Sequence, residues 1–565
     1  NQALIQLVTR HEPLRTLIQS DHGKPSGVLR SIDTNSHFLT VEDLSSLEPE
    51  IKASVLHEQI ETQALKPFQL DADFSLRATL YRLEEQRHVL LIVLHHAAAD
   101  GISLAVLLRE LEAFYAAALK GLPHHLPPID ITYADHAAWQ RNWFEQSDVI
   151  EQQVHYWKNA LEGVPDLIDL PTDLPRTPDR SRKAQYLKVE IRPVIAQRLE
   201  TLAQNHGTTL FAVLMAAYGA LLARLSRQAD VVIGFPIAGR SAPEVQDLVG
   251  FFVNTLPLRV NLEPSDSPNG LIQRVAQQLL GALSHQDLPF ERLVEDLVDT
   301  RSLAHTPLFQ AMFAWQTQEQ GQFILEGTKA TLLPVGLDTV KFDLTLSLAP
   351  TPQGAIEGSI EYDASLFTAN TLSRWMLAFQ QILEGFAESA DQPLLAIPLT
   401  AEVERTTVIE AFNQTQHPIE ETTLPELFEQ QVQKTPEAIA LVFGDTEISY
   451  QTLDHKANQF ARYLRQQNIG PEAIVALALE RSVEMVVSLL AVLKTGAAYL
   501  PIDPEYPKDR IAFMLEDSKA PILITTQDIQ RELEGAATEG NRHGSDATGE
   551  NRSFKGQILC LDDTR

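Results

Sequence analysis

Val89-Leu-Leu-Ile-Val-Leu94 runs straight into His95-His96-Ala97-Ala98-Ala99-Asp100-Gly101, and a helical pattern begins directly afterwards. The unbroken apolar run suits a buried strand. Beyond it, Ser103 can cap a helix. Leu104, Leu107, Leu108, Leu111 and Phe114 share one face of that helix, and Gly121 ends it. Strand, titratable cluster and helix in this order predict an α/β fold with a reactive centre at a strand tip.

Side chains alternate along a strand, so His95 and His96 are expected on opposite faces. One then faces a cleft as acid or base, and the other packs inside. A buried Asp100 needs a cation or several donors. Gly101 lets the backbone approach a substrate and present its N–H. Such a centre suits acyl transfer: a neutral imidazole takes a proton from, or orients, an attacking amine or hydroxyl. A nearby N–H stabilises the oxyanion, by roughly 3 kcal/mol for one donor. Three other readings stay open on these residues alone. A metal site has the right ligand types, but adjacent strand histidines diverge. A structural loop with satisfied histidines is the plainest. A serine hydrolase lacks its Gly-x-Ser-x-Gly here. The chain holds its own control: His124-His125 also has an acid downstream, Asp130, but lies in a proline loop with no strand before it.

The 565 residues suffice for several domains. A formal net charge of -30 argues against a nucleic-acid surface and against binding anionic lipid by bulk charge. Cys560 is the single cysteine, so no intrachain disulfide forms. With no signal peptide evident, this favours a reducing cytoplasm. The longest uncharged stretch, 210–223, is too short to span a bilayer and reads as a buried helix.

Residues 3–8 have helical spacing without a cap, as if an element began earlier. A helical region is expected over 133–161, and prolines 171, 175 and 178 suggest a crossing between two lobes. In the second lobe, strands are expected near 186–191, 230–234, 252–258, 311–315, 343–348 and 358–362. Helices are expected near 208–225, 271–283 and 369–387. Residues 390–420 read as a linker. Strands at 438–443, 473–479, 499–503 and 521–526 then alternate with helices at 450–467, 483–495 and 507–517, the signal of a parallel sheet. Residues 535–555 have the composition of a disordered segment.

Further segments accompany the histidines in a fixed order: Arg10-His-Glu-Pro-Leu-Arg15, Tyr133-Ala-Asp-His-Ala-Ala-Trp139, Val249-Gly-Phe-Phe-Val-Asn254-Thr-Leu-Pro-Leu-Arg259, His285-Gln-Asp-Leu-Pro-Phe-Glu291, and Arg301 through Pro307-Leu308. Together they resemble the condensation domain of nonribosomal peptide synthetases over about residues 1–395. The resemblance implies a two-lobed, chloramphenicol-acetyltransferase-like fold, with lobes at 1–170 and 171–395 and a site in a tunnel between them. It implies that the amine of a carrier-bound aminoacyl thioester attacks an upstream carrier-bound acyl or peptidyl thioester. Upstream and downstream peptidyl carrier domains are the implied partners, and their 4'-phosphopantetheine arms carry the substrates. No cofactor bound by the condensation domain itself, no metal, no nucleic acid and no membrane is expected. His96 and Gly101 match the catalytic positions. His95, Asp100, Arg15 and Asn254 match supporting ones, and Asp100 is expected to pair with Arg15 because a buried carboxylate needs a cation. Ile102 stands where the family often has Trp, and the family's first motif would precede residue 1.

Ile448-Ser-Tyr-Gln-Thr-Leu453 and Leu493-Lys-Thr-Gly-Ala-Ala-Tyr-Leu-Pro-Ile-Asp503 resemble the opening motifs of an amino-acid adenylation domain. The implied layout is a linker at 396–420 and part of an adenylate-forming domain at 421–565. The Ser/Thr/Gly-rich phosphate loop of that family does not follow within these residues, so ATP and Mg belong only to a complete domain, and this part is expected to be inactive. Within the same superfamily, an epimerisation domain shares the His-His motif, and a heterocyclisation domain would carry aspartates in place of the histidines. A non-catalytic carrier-docking module is the alternative from another class.

Overall fold

Alternating apolar residues at Leu76, Ala78 and Leu80 make β4 (Leu76–Arg82), which pairs antiparallel with β5 (His88–Leu94). Earlier come α1 (Gln2–Arg10), the hairpin β1 (Thr16–Asp21) and β2 (Lys24–Leu29), β3 (Leu39–Asp43) and α2 (Pro49–Leu65). β3 lies parallel to β4, with α2 as the crossover. The helix α3 (Gly101–Lys120) follows β5 and packs on α1. Gly121, at φ 64, closes α3 with its N–H on the Ala117 and Ala118 carbonyls. The computed structural model describes residues 1–565 except 34–35, 147, 299–301, 317–322, 334–338, 536–553 and 564–565. Most of the stretch expected to be disordered, and Arg301, therefore lie outside the described residues.

The helical region expected over 133–161 is two helices, α4 (Tyr133–Gln146) and α5 (Val149–Ala160). Trp157 on α5, with Leu161, Ile168 and Leu170, packs in the core of the second lobe. By packing, the chain therefore crosses between lobes before residue 157, earlier than the expected 170. The second lobe continues with β6 (Ala184–Ile191), α6 (Pro193–Asn205), α7 (Leu210–Ser226), β7 (Asp230–Ile237), β8 (Asn254–Asn261), α8 (Pro268–Ser284), α9 (Phe290–Leu297), β9 (Ala311–Trp315), β10 (Leu344–Pro350), β11 (Ile356–Asp363) and α10 (Ala369–Glu388). Its six strands form one mixed sheet in the order β6-β11-β10-β9-β7-β8. The uncharged stretch is α7, capped by Thr209 on the Ala212 N–H and buried on every side from Ala212 to Ala223. It is apolar all round because protein surrounds it. Among the described residues no single helix is long and apolar enough to cross a membrane.

Part of the expected linker is docked. Leu394 and Ile397 are buried, and Arg224 donates to both of their carbonyls. A short helix, α11 (Glu402–Ile409), follows, and the first compact unit runs to Gln414.

The second unit, Thr415–Arg565, starts with α12 (Leu424–Lys434), opened by a reciprocal Thr423–Glu426 capping box. β12 (Ile439–Phe443) makes a hairpin with β13 (Thr446–Ser449) rather than joining the parallel sheet. That sheet has the order β15-β14-β16-β17, from β14 (Ile474–Leu477), β15 (Ala498–Pro501), β16 (Ile522–Thr525) and β17 (Gln557–Cys560). It is interleaved with α13 (Tyr450–Gln466), α14 (Val483–Thr495), α15 (Lys508–Ser518) and α16 (Gln527–Gly535). β12 departs from the expectation because the tight Gly444 turn (φ 57) returns the chain at once to an antiparallel partner.

Candidate active site at the seam of the two lobes

The β5 ladder ends at Leu94, and one more bond, from the His95 N–H to the Ser75 carbonyl (3.0 Å), extends it. The Ala98 N–H then reaches back to the His95 carbonyl (3.0 Å). His96 and Ala97 are thus the corners of a turn, and His96 is not itself on the strand as expected from sequence. The turn still separates the two rings. His95 lies edge-on to Phe68 at 5.7 Å, and its Nδ1 accepts the Ala97 N–H (3.1 Å). A backbone N–H only donates, so Nδ1 is the acceptor nitrogen in this contact. His96 is exposed and meets the Phe251 ring edge-on, with centroids 5.1 Å apart and planes at 89°. Its ring makes no hydrogen bond to another described residue.

Asp100, not Ser103, is the N-cap of α3. Its Oδ1 accepts the Ser103 N–H (2.8 Å) and the Ser103 hydroxyl (2.8 Å). A carboxylate at this position also faces the positive end of the helix. Its cation is Arg240 of the second lobe, whose Nη2 lies 2.9 and 3.1 Å from the two carboxylate oxygens. The expected partner, Arg15, is engaged elsewhere, near Glu12 (3.8 Å) and the Arg30 carbonyl (3.5 Å). This corrects the Asp100–Arg15 pairing: the need for a cation was right, and the cation comes from the other lobe. Both side chains of the actual pair are nearly inaccessible, at 4% and 3% exposed. The desolvation is offset by further bonds. Arg240 also donates to the Val245 and Leu248 carbonyls (both 2.7 Å) and lies 4.0 Å over the Phe252 ring, and the Phe252 N–H donates to Asp100 (3.1 Å).

The segment 250–252 is tied down residue by residue. The Ser103 Oγ accepts the Gly250 N–H (3.1 Å) and lies 2.9 Å from the Gly250 carbonyl, which competes with Asp100 for its one proton. The Tyr133 hydroxyl donates to the Phe251 carbonyl (2.9 Å). Burial, with the Asp100 charge adding to it, raises the Tyr133 pKa, which keeps that hydroxyl protonated as a donor. A Cβ at Gly250 would overlap the Tyr133 ring, so glycine is required by this close approach. Burial, and secondarily Arg240, lowers the pKa of His136, whose ring lies tilted 5.0 Å from the Phe252 ring.

Gly101, the first residue of α3, is different. It has no left-handed φ, and a Cβ there would meet nothing within 4 Å. The fold does not require glycine at this position. Asn254 is fully engaged: its amide donates to the Gln286 and Leu288 carbonyls (2.9 and 2.8 Å), and its oxygen accepts the Thr255 and Phe290 N–H groups (2.9 and 3.1 Å). Its observed task is to join the start of β8 to the loop before α9. Sequence reasoning missed Arg240 and Ser103 as parts of the seam. The signal for Arg240 was Gly239-Arg240 just after an apolar strand, a cation placed in a turn.

A condensation-domain family model matches residues 1–409. The chain belongs to the condensation-domain family. Behind the condensation domain, residues 428–562 match the AMP-binding enzyme family. Among similar proteins, a linear gramicidin synthase from Brevibacillus parabrevis is 37% identical over 529 residues, covering 93% of this chain and 10% of its own length. Malpinin synthetase of Mortierella alpina is 37% identical over 543 residues, covering 94% and 7%. The chain thus spans about a tenth or less of these relatives. Among solved structures, a four-domain nonribosomal peptide synthetase bound to AMP and glycine superposes with a TM-score of 0.82 over 99% of this chain and 41% of its own, at 23% identity, a likeness of fold. The condensation domain here is therefore of the chloramphenicol-acetyltransferase-like two-lobed kind, followed by part of an adenylate-forming domain.

Proposed function

We propose that the condensation domain forms a peptide bond between two carrier-bound thioesters, with His96 as its catalytic group. The observation that carries this reading is the division of labour in one seven-residue segment. Asp100 is spent on Arg240, Ser103 and Phe252, and His95 on Ala97, whereas His96 is exposed at the turn. In the proposed step the amine nitrogen of the downstream aminoacyl thioester attacks the carbonyl carbon of the upstream thioester. The tetrahedral oxyanion collapses, the C–S bond breaks, and the proton lost by the amine passes by way of the His96 imidazole to the leaving sulfur. General-base assistance of this kind contributes about 10²–10⁴-fold. The open space over Gly101 at the start of α3 supports it as the place where the thioester passes close to backbone. Arg15 and Asn254 act on the scaffold of the site.

The phosphopantetheine arms belong to the upstream and downstream carrier domains, the proposed partners. The cytoplasm, as expected from the single cysteine, is the proposed compartment. In the second unit the ends of the parallel strands lead to exposed Glu480, Asp503 and Asp562. ATP and Mg are proposed for a complete adenylation domain, and no role in binding them is assigned to these three carboxylates. The test loads an acyl donor on one carrier and an amine acceptor on another. A dipeptidyl thioester that depends on His96 supports condensation. Inversion of a single loaded residue without dipeptide would show epimerisation, and carrier binding with neither product would show a docking module.

A further inference from the structure

Phe251 is an apolar ring left 38% exposed on backbone fixed from both sides. Gly250 before it is held by the Ser103 hydroxyl, its own carbonyl by Tyr133, and the Phe252 N–H after it by Asp100. Val249 and Phe252 on either side are buried core residues and anchor the segment, whereas Phe251 between them keeps part of its ring open to solvent. What the arrangement does is aim the ring at His96, edge-on at 5.1 Å. Phe251 is the aromatic ring packed edge-on against this imidazole.

We propose that Phe251 is a specificity-determining residue: its ring is the wall against which the side chain of the amine-bearing aminoacyl substrate packs, sorting acceptors by bulk. The inference rests on the proposed reaction. An amine in hydrogen-bond reach of the imidazole sits about 3 Å from it. Its Cα is one bond further and its Cβ two, so the acceptor side chain begins roughly 5 Å from the imidazole nitrogen, within reach of the Phe251 ring that flanks the imidazole. The donor's side chain is separated from His96 by the additional length of the attack distance and the carbonyl carbon.

The test uses the full chain carrying Phe251→Ala or Phe251→Leu, one donor carrier thioester, and acceptor carriers loaded with glycine, leucine or tryptophan. Phe251→Ala is expected to raise kcat/KM for tryptophan relative to glycine by on the order of tenfold, with Phe251→Leu between it and wild type. The change appears in KM and kcat for bulky acceptors, while ratios across a donor panel stay put, all compared at matched folded fraction. An acceptor ratio constant to about twofold, or a shift across donors instead, overturns the proposal. If the alanine variant does not fold, the leucine variant gives the same ratio. A His96→Ala chain that still makes product at the wild-type rate would overturn the underlying reaction, whatever the Phe251 ratios show.

Discussion

Asp100→Ala removes the carboxylate that holds both lobes at the seam. It strands Arg240, whose side chain is 3% exposed, and leaves the Ser103 and Phe252 N–H groups without their acceptor. Stranding a buried charge costs about 3–5 kcal/mol. The lost N-cap, worth about 1 kcal/mol alone, is part of the same loss. Arg240→Met strands Asp100 in turn, but that carboxylate keeps its Ser103 and Phe252 donors, so about 3 kcal/mol is expected. The double variant buries no lone charge, and its cost should fall short of the sum by about 2–3 kcal/mol. Urea unfolding of the full chain, followed by the emission of Trp157 and Trp375 in the second-lobe core, reads all three. Arg15→Met serves as the control and should cost no more than about 1 kcal/mol, as for a loose, partly exposed pair 3.8 Å apart. Additive costs for Asp100 and Arg240, or coupling of Asp100 to Arg15 instead, would refute the assignment.

Gly101→Ala should leave stability unchanged or raise it by up to about 1 kcal/mol, since a helix favours alanine and its Cβ has room. Turnover should nevertheless fall, measured as dipeptidyl thioester formed; full activity would remove Gly101 from the site. Gly250→Ala should cost about 1–3 kcal/mol by overlap with Tyr133, seen as a lower urea midpoint, and Tyr133→Ala in the same chain should recover part of it. Glu110 gives a pH dependence. Burial pushes its pKa up, but the His11 and Arg10 contacts at 2.7 and 2.9 Å outweigh this, and the folded value lies below 4.5. Its stabilisation is therefore complete above about pH 4.5 and is lost as pH falls through the lowered folded value. Glu110→Gln should flatten the acid limb of stability against pH, and an unchanged limb would contradict the pairing.

The strand and helix around His96 were legible from an apolar run and a terminal glycine at 121, but the turn between them and the Asp100 cap were not, because Ser103 offered itself as the cap and the apolar run gave no sign of ending at Leu94. The all-apolar α7 was legible from its uncharged run alone. The partner of Asp100 was not, because Arg240 lies 140 residues away and only folding brings the lobes together. The strands β1 to β4 escaped notice because β1 to β3 are short and largely exposed, without clean alternation. α6 was missed although Pro193 opens it and Ile195, Leu199 and Leu202 share a face. The strand expected at 252–258 begins two residues later than its apolar pattern suggests. The Asp100, Ser103 and Tyr133 bonds hold 250–252 as a loop, and β8 starts only at Asn254.

The most direct test of the account is the single-turnover rate of dipeptidyl thioester formation from two loaded carriers, compared among wild type, His95→Ala and His96→Ala at matched folded fraction. The account predicts a fall of about 10²–10⁴-fold for His96→Ala and a smaller one for His95→Ala. A His96→Ala rate equal to wild type would contradict it.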